Sequence, residues 1–245
     1  MLSINLFRKK IKFYCSLSEV KERYPIIPAR EYKYHWLRES ALAFKQIVSE
    51  QSKYHQVSGT AKCGGISSIM QEGFIIKSWF DLTIKPLSQS NQFEYYIPEG
   101  IHSYLDEKKF NKKLITWFSN ENPAHAIPAL SGDLSTLIKI NTPWVVSIPK
   151  GWKLLFMPIP YSDTPMFSAT SGILEAGEKH DISIIIKLHT STDEVFIPAG
   201  TPLCQFVPVC EKSAPVEFLD FTEHMKKLSS QSLYDRNHSF IIKYK

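Results

Sequence analysis

Between Pro143 and Pro208 the chain alternates short apolar runs with turn signals, and this pattern constrains its fold more than any other feature. Ile182, Ile184, Ile186 and Leu188 share one parity; Ser183, Lys187 and His189 share the other, with Ile185 the exception. A period of two is the mark of a strand with one buried face. Trp152–Met157 is a shorter run of the same kind. Pro149-Lys-Gly151 and Pro198-Ala-Gly200 punctuate these runs: proline presets φ for a turn and glycine supplies a positive φ. Short strands separated by such turns favour a mainly β, antiparallel barrel or sandwich over a parallel sheet.

Upstream, Ile11–Cys15 reads as a first strand and Tyr24–Pro28 as an extended connector, because each proline drives its predecessor out of the α region. Residues 35–51 carry Leu37, Ala41, Phe44 and Val48 on one stripe, the spacing of a helix packed on a sheet. Gly64-Gly65 precedes a helix of one to two turns that Gly73 stops; a phosphate loop would need a Lys-Ser/Thr that is missing here. From Gly73 one long strand is expected, with Phe74, Ile76, Phe80, Leu82 and Ile84 on a common face, ended by Pro86 and partnered by Gln92–Ile97. Residues 99–122 read as a surface excursion. Val216–Phe221, a short helix at Thr222–Leu228 and a basic, aromatic tail complete the chain. We expect one domain: a strand-and-helix segment 1–72, a β core 73–221, and a helix and tail 222–245. Trp152, Phe156, Ile184, Ile186, Phe206 and Phe80 are the expected core.

With 245 residues and 43% hydrophobic content the chain can bury a sizeable core. The net charge of +5 is modest, and its basic clusters read as solvated surface, which disfavours nucleic acid as a partner. No run reaches the roughly 18 apolar residues of a membrane helix, and the first residues lack the apolar stretch of a signal peptide. Cys15, Cys63, Cys204 and Cys210 form no C-x-x-C pair and read as reduced thiols; Cys204 and Cys210 share strand parity and are expected to be buried as small apolar groups. None of the eight histidines has an acid two residues on, the strand spacing of a facial metal triad, and His-Glu-x-x-His is absent. No metal and no cofactor is expected. No Gly-x-Ser-x-Gly elbow occurs. The expected location is cytoplasmic.

Two resemblances bear on function. Tyr24-Pro-Ile-Ile-Pro-Ala29, Lys62-Cys63 before Gly73-Phe-Ile-Ile, Pro143–Gly151, Ser171–Leu174 and Ile197–Pro208 resemble, in order, an uncharacterised group of proteins encoded largely by tailed phages, including those of marine cyanobacteria. Independently, Pro149-Lys-Gly151, Gly172-Ile-Leu-Glu175, Ile182–His189 and Ala199–Gln205 are similar to the barrel of dUTPase and dCTP deaminase proteins. The second resemblance implies a β-clip type fold, often trimeric, with C-terminal arms crossing between subunits. It would place a ligand near Glu175, His180, Asp181 and Gln205. This sequence departs from the family where the chemistry lies: Glu175 stands in place of the motif aspartate, no Tyr-Arg-Gly follows, and Met157–Tyr161 takes the approximate place of Pro-Arg-Ser-Gly. A phosphate site without its Arg and Ser lacks charge-assisted donors. The expectation is a non-catalytic, β-rich protein of phage or prophage type acting by binding or assembly, associated with the virion if phage-encoded; the alternative is a binder or hydrolase of a small nucleotide-like ligand on a degenerate dUTPase-like barrel. As a partner we expect another copy of the chain, reached through the tail Asp235–Lys245, or a different protein; the competing reading pairs Phe240-Ile-Ile242 within the same chain.

Overall fold

The structure, a computed structural model, describes residues 10–50, 63–87, 92–104, 110, 112–118, 134 and 136–211. All of them fall within one unit, Met1–Glu211. The readings at Val216–Phe221, Thr222–Leu228 and Asp235–Lys245 lie outside the described residues.

In chain order the elements are β1 (Lys12–Cys15), α1 (Ser18–Arg23), β2 (Ile27–Pro28), α2 (His35–Glu50), α3 (Gly64–Gln71), β3 (Phe74–Lys77), β4 (Leu82–Pro86), β5 (Phe93–Tyr96), β6 (Ile115–Phe118), β7 (Leu137–Ile148), β8 (Trp152–Met157), β9 (Phe167–Ala169), β10 (Gly172–Leu174), β11 (Gly177–Leu188), β12 (Val195–Ile197) and β13 (Pro202–Cys210). Every strand pairing is antiparallel. The first sheet runs β1-β7-β11-β9, with β6 also on β7; the second runs β10-β8-β13-β3-β2; the third, β12-β4-β5. The protein is therefore mainly β with packed helices. Its sheets face one another across a common core, as in a sandwich, and do not close into a barrel among the described residues.

The two twelve-residue strands β7 and β11 form the spine of the first sheet, with Ile184 opposite Ile140 and Ile186 opposite Ile138. Ile182, Ile184, Ile186 and Leu188 are all buried, as their parity predicts. From the facing sheet come Leu154, Cys204 and Phe206, and Phe13 of β1 spans the gap to Phe74 with ring centroids 5.9 Å apart. The other face of the second sheet is covered by helices. Ile75 packs there with Ala29, Tyr34, Met70 and Ile159, joined by Trp36 and Leu37 of α2 and Ile66 and Ile69 of α3. Of the remaining α2 stripe, Ala41, Phe44 and Val48, the side chains are outside the described set. The turns fall where expected, with φ of 91° at Gly151 and 89° at Gly200. Gly73 follows α3 at φ 72°, and a Cβ there would collide with the Phe206 carbonyl, so two constraints select glycine.

Five expectations are corrected. The single strand from Gly73 to Pro86 is two strands in different sheets, broken at Ser78–Asp81. Ser78, Trp79 and Phe80 are consecutively buried, which no alternating strand allows. The break is held by the Pro198–Thr201 turn: Ser78 N donates to Thr201 O at 2.8 Å, Gly200 N to Ser78 O at 2.8 Å, and Ala199 N to Asp81 Oδ1 at 2.6 Å. Residues 99–122 are not all surface, because Phe110, Leu114 and Ile115 are buried and β6 pairs with β7. Trp152 is not core; it opens β8 opposite the exposed Cys210 and is 37% exposed. Phe156 is only partly buried, its ring lying on Gly172 where a Cβ would collide with it. Cys204 is buried but Cys210, the last residue of β13, is exposed.

Candidate functional site

The four residues singled out from the sequence go to separate places. Glu175, after β10, pairs with Lys153 of β8 at 3.0 Å on the surface. Asp181 of β11 pairs with Lys112 at 2.6 Å. His180, its neighbour on the strand, turns to the opposite side; its ring covers Gly177, and its Nε2 is buried with no partner among the described residues. Gln205 lies in the second sheet, fully buried, and donates from Nε2 to Ile69 O at 2.7 Å and Glu72 O at 2.6 Å. One carbonyl lies in the last turn of α3 and the other on the residue that follows it, where helical partners run out. Among the described residues no hydrogen bond or ion pair joins any of the four to another.

A different group of residues forms a concave site. α1 is short, and its burial of Leu17 and Val20 fixes it against the core. Glu19 in its first turn and Arg23 in its last suit the helix dipole and project charge beside the broken strand. With Tyr24, Trp79, Asp81 and Ile101 they line a cleft of about 380 Å³. Its floor is aromatic: Trp79 and Phe80 are buried, packed edge to face at 5.0 Å. Trp79 is locked further by Nε1 donating to Asn141 O at 3.2 Å and by the Phe110 ring at 5.5 Å. Asp81 is held at the rim by the Ala199 amide. The volume is of small-molecule size, and the lining combines an aromatic base with charges of both signs.

Sequence reading missed this cleft because its parts come from α1, the strand break, the Pro98–Ile101 segment and the Pro198–Thr201 turn. The one available signal was Ser78, the sole polar member of an otherwise apolar strand face. Among the described residues no group of three His, Cys, Asp or Glu side chains could hold a metal ion, and no helix is long and apolar enough to cross a membrane. The Cys204 thiol is pushed up to about 12 by burial, partly offset by its hydrogen bonds to the Met157 and Gln205 carbonyls.

No protein-family model and no curated protein matches this chain. Solved structures similar to it include dUTPases of staphylococcal phages. A phage 80alpha dUTPase in complex with dUPNHPP is 14% identical, with 46% of this chain and 91% of that chain covered and a TM-score of 0.27. A variant dUTPase from phage phi11 of S. aureus, whose structure describes a structural Mg(II) ion, is 16% identical over 58% of this chain and 98% of that chain, with a TM-score of 0.28. Similarity at this level assigns no activity and no ligand.

Proposed function

We propose that the protein acts by binding rather than by catalysis, and that the cleft between α1 and the Ser78–Asp81 break takes a small, ring-bearing polar ligand. The observation that carries this reading is the cleft's lining: Tyr24 beside a locked Trp79–Phe80 floor, with Arg23, Glu19 and Asp81 at its edge. A planar ring gains dispersion and burial against aromatic side chains, while the flanking charges select its polar edge. The non-catalytic half of the reading is supported by the commitments of Glu175 to Lys153, Asp181 to Lys112 and Gln205 to the end of α3. Each of these side chains already has a partner within the protein, and none of them joins another.

Deoxyuridine and its mono- and triphosphate, which combine a ring with graded charge, are suitable probes. Calorimetric titration of the full chain, with chromatography of the mixture after prolonged incubation, reads binding and turnover together. The expected result is saturable binding of at least one probe, weakened about tenfold or more by Arg23→Ala or Tyr24→Ala, with the nucleotide recovered intact. Hydrolysis of the triphosphate, abolished by a cleft substitution, would overturn the non-catalytic reading. Absence of saturable binding by all three would overturn the ligand class.

A further inference from the structure

A second cavity lies on the helical side of the second sheet and shares no lining residue with the cleft. It measures about 240 Å³ and is lined by Arg30, Tyr32, Tyr34, Leu37, Ser67 and Gln71, with Ala29 and Met70 behind them. Tyr34 is 5% exposed, yet its hydroxyl is buried without a hydrogen-bond partner among the described residues. Buried polar groups are rarely left so, and an unpaired one is costly. Tyr34 cannot easily turn away. Its ring meets Tyr32 edge to face at 4.7 Å and Trp36 at 6.4 Å, and Trp36 is anchored by Nε1 donating to Tyr161 O at 2.8 Å. Tyr161 holds this position at φ 54°, a left-handed conformation unusual for a bulky residue.

We propose that this cavity is a binding site for a small organic carboxylate. Tyr34 supplies a fixed O–H donor. Ser67 Oγ accepts from Gln71 Nε2 at 2.8 Å, which leaves the serine proton to be donated. Arg30 is exposed at the cavity and has no ion-pair partner among the described residues. Two hydroxyl donors and a guanidinium select an anionic acceptor. Ala29, Leu37, Met70 and the Tyr32 ring form an apolar wall for the ligand's body. Burial, with smaller contributions from Tyr32 and Asp163, pushes the Tyr34 hydroxyl up to about 12, so it remains a donor at any physiological pH. Asp163 is the nearby charge of the wrong sign for an anion. Its carboxylate accepts from His35 N at 3.0 Å and Trp36 N at 3.5 Å, so the positive end of α2 offsets its field. The volume corresponds to about eight waters, enough for a single ring or a short chain.

The test is titration of the full chain with benzoate, with benzamide as its neutral counterpart, by calorimetry. Benzoate is expected to bind saturably at about millimolar concentration, as suits a ligand of so few atoms. Benzamide, Tyr34→Phe and Arg30→Gln should each weaken binding about tenfold or more. Without ligand, Tyr34→Phe removes only an unpartnered group, so its melting temperature should match or exceed that of the parent. Three results would each overturn the proposal: no saturable benzoate binding, equal binding by Tyr34→Phe, or a ligand-free Tyr34→Phe protein that melts lower because the hydroxyl was already satisfied.

Discussion

Gln205 illustrates how a buried polar side chain can look like a ligand residue and serve as a fastener. Its amide closes two carbonyls at the end of α3 and ties that helix to the second sheet. Gln205→Leu keeps the volume and removes both bonds, leaving two acceptors unpaired. Chemical denaturation should show a loss of about 1–3 kcal/mol. Glu175→Gln, at an exposed ion pair, should cost less than about 1 kcal/mol by the same measurement. Cys204 and Tyr34 make a second residue-scale prediction, on pH. Burial raises both above their ordinary values of 9.0 and 10.0, to about 12 in each case. The folded state thus retains protons that the unfolded chain releases. Below pH 9 both states are protonated, and these groups give stability no pH dependence. Above it the unfolded state binds fewer protons, so stability falls as pH rises through the folded values near 12, by roughly 1.4 kcal/mol per unit for each group. Denaturation midpoints measured from pH 8 to 11 check the sign. A thiol reagent at pH 8 should label Cys63 and Cys210 and spare Cys204 until the protein unfolds.

At the scale of elements, the break between β3 and β4 does the most to shape the molecule. It sends one apolar stretch into two sheets and leaves Trp79 and Phe80 as the floor of the cleft. Its hydrogen bonds come from a turn more than a hundred residues away, with Asp81 accepting the Ala199 amide. Asp81→Asn retains an acceptor and should stay within about 0.5 kcal/mol of the parent, whereas Asp81→Ala should lose about 1–2 kcal/mol. Equal stability of the two variants would show that this bond does not hold the break. The same long-range logic applies to α2. Its first turn is capped by Asp163, so no local capping residue marks its start, although its apolar stripe was visible.

At the scale of the whole molecule, the sandwich leaves large apolar side chains outside, among them Tyr14, Tyr96, Trp117, Ile173 and Phe196. Tyr96 and Phe196 flank Thr83 on one line across the third sheet. We expect self-association of the chain, and the tail Asp235–Lys245 is the segment to test. Light scattering of the intact protein and of a chain ending at 234 separates the cases. The expected outcome is an oligomer that becomes a monomer on truncation with its β circular dichroism preserved. An intact monomer removes the oligomer, and an oligomer that survives truncation places the contact elsewhere.

The alternation of Ile182–Leu188, the turns at Gly151 and Gly200, and the existence of the helix α2 were legible because each is a local rule: side-chain direction and backbone freedom depend on residues within a few positions. The mainly antiparallel β class followed from them. What only the tertiary structure decided depends on partners distant in sequence. Asn141 is buried in β7 because Ser183 donates to its Oδ1 at 2.7 Å and its Nδ2 donates to Lys113 O at 2.6 Å. Gln205 is a fastener because α3 ends against it, and Trp152 stands at the start of β8 opposite the exposed Cys210, a pairing set by the register of β8 on β13. The strand break, the cleft and the Tyr34 cavity have the same origin. Each is a surface assembled from several segments, and a chain's local periodicity carries no information about which segments will meet.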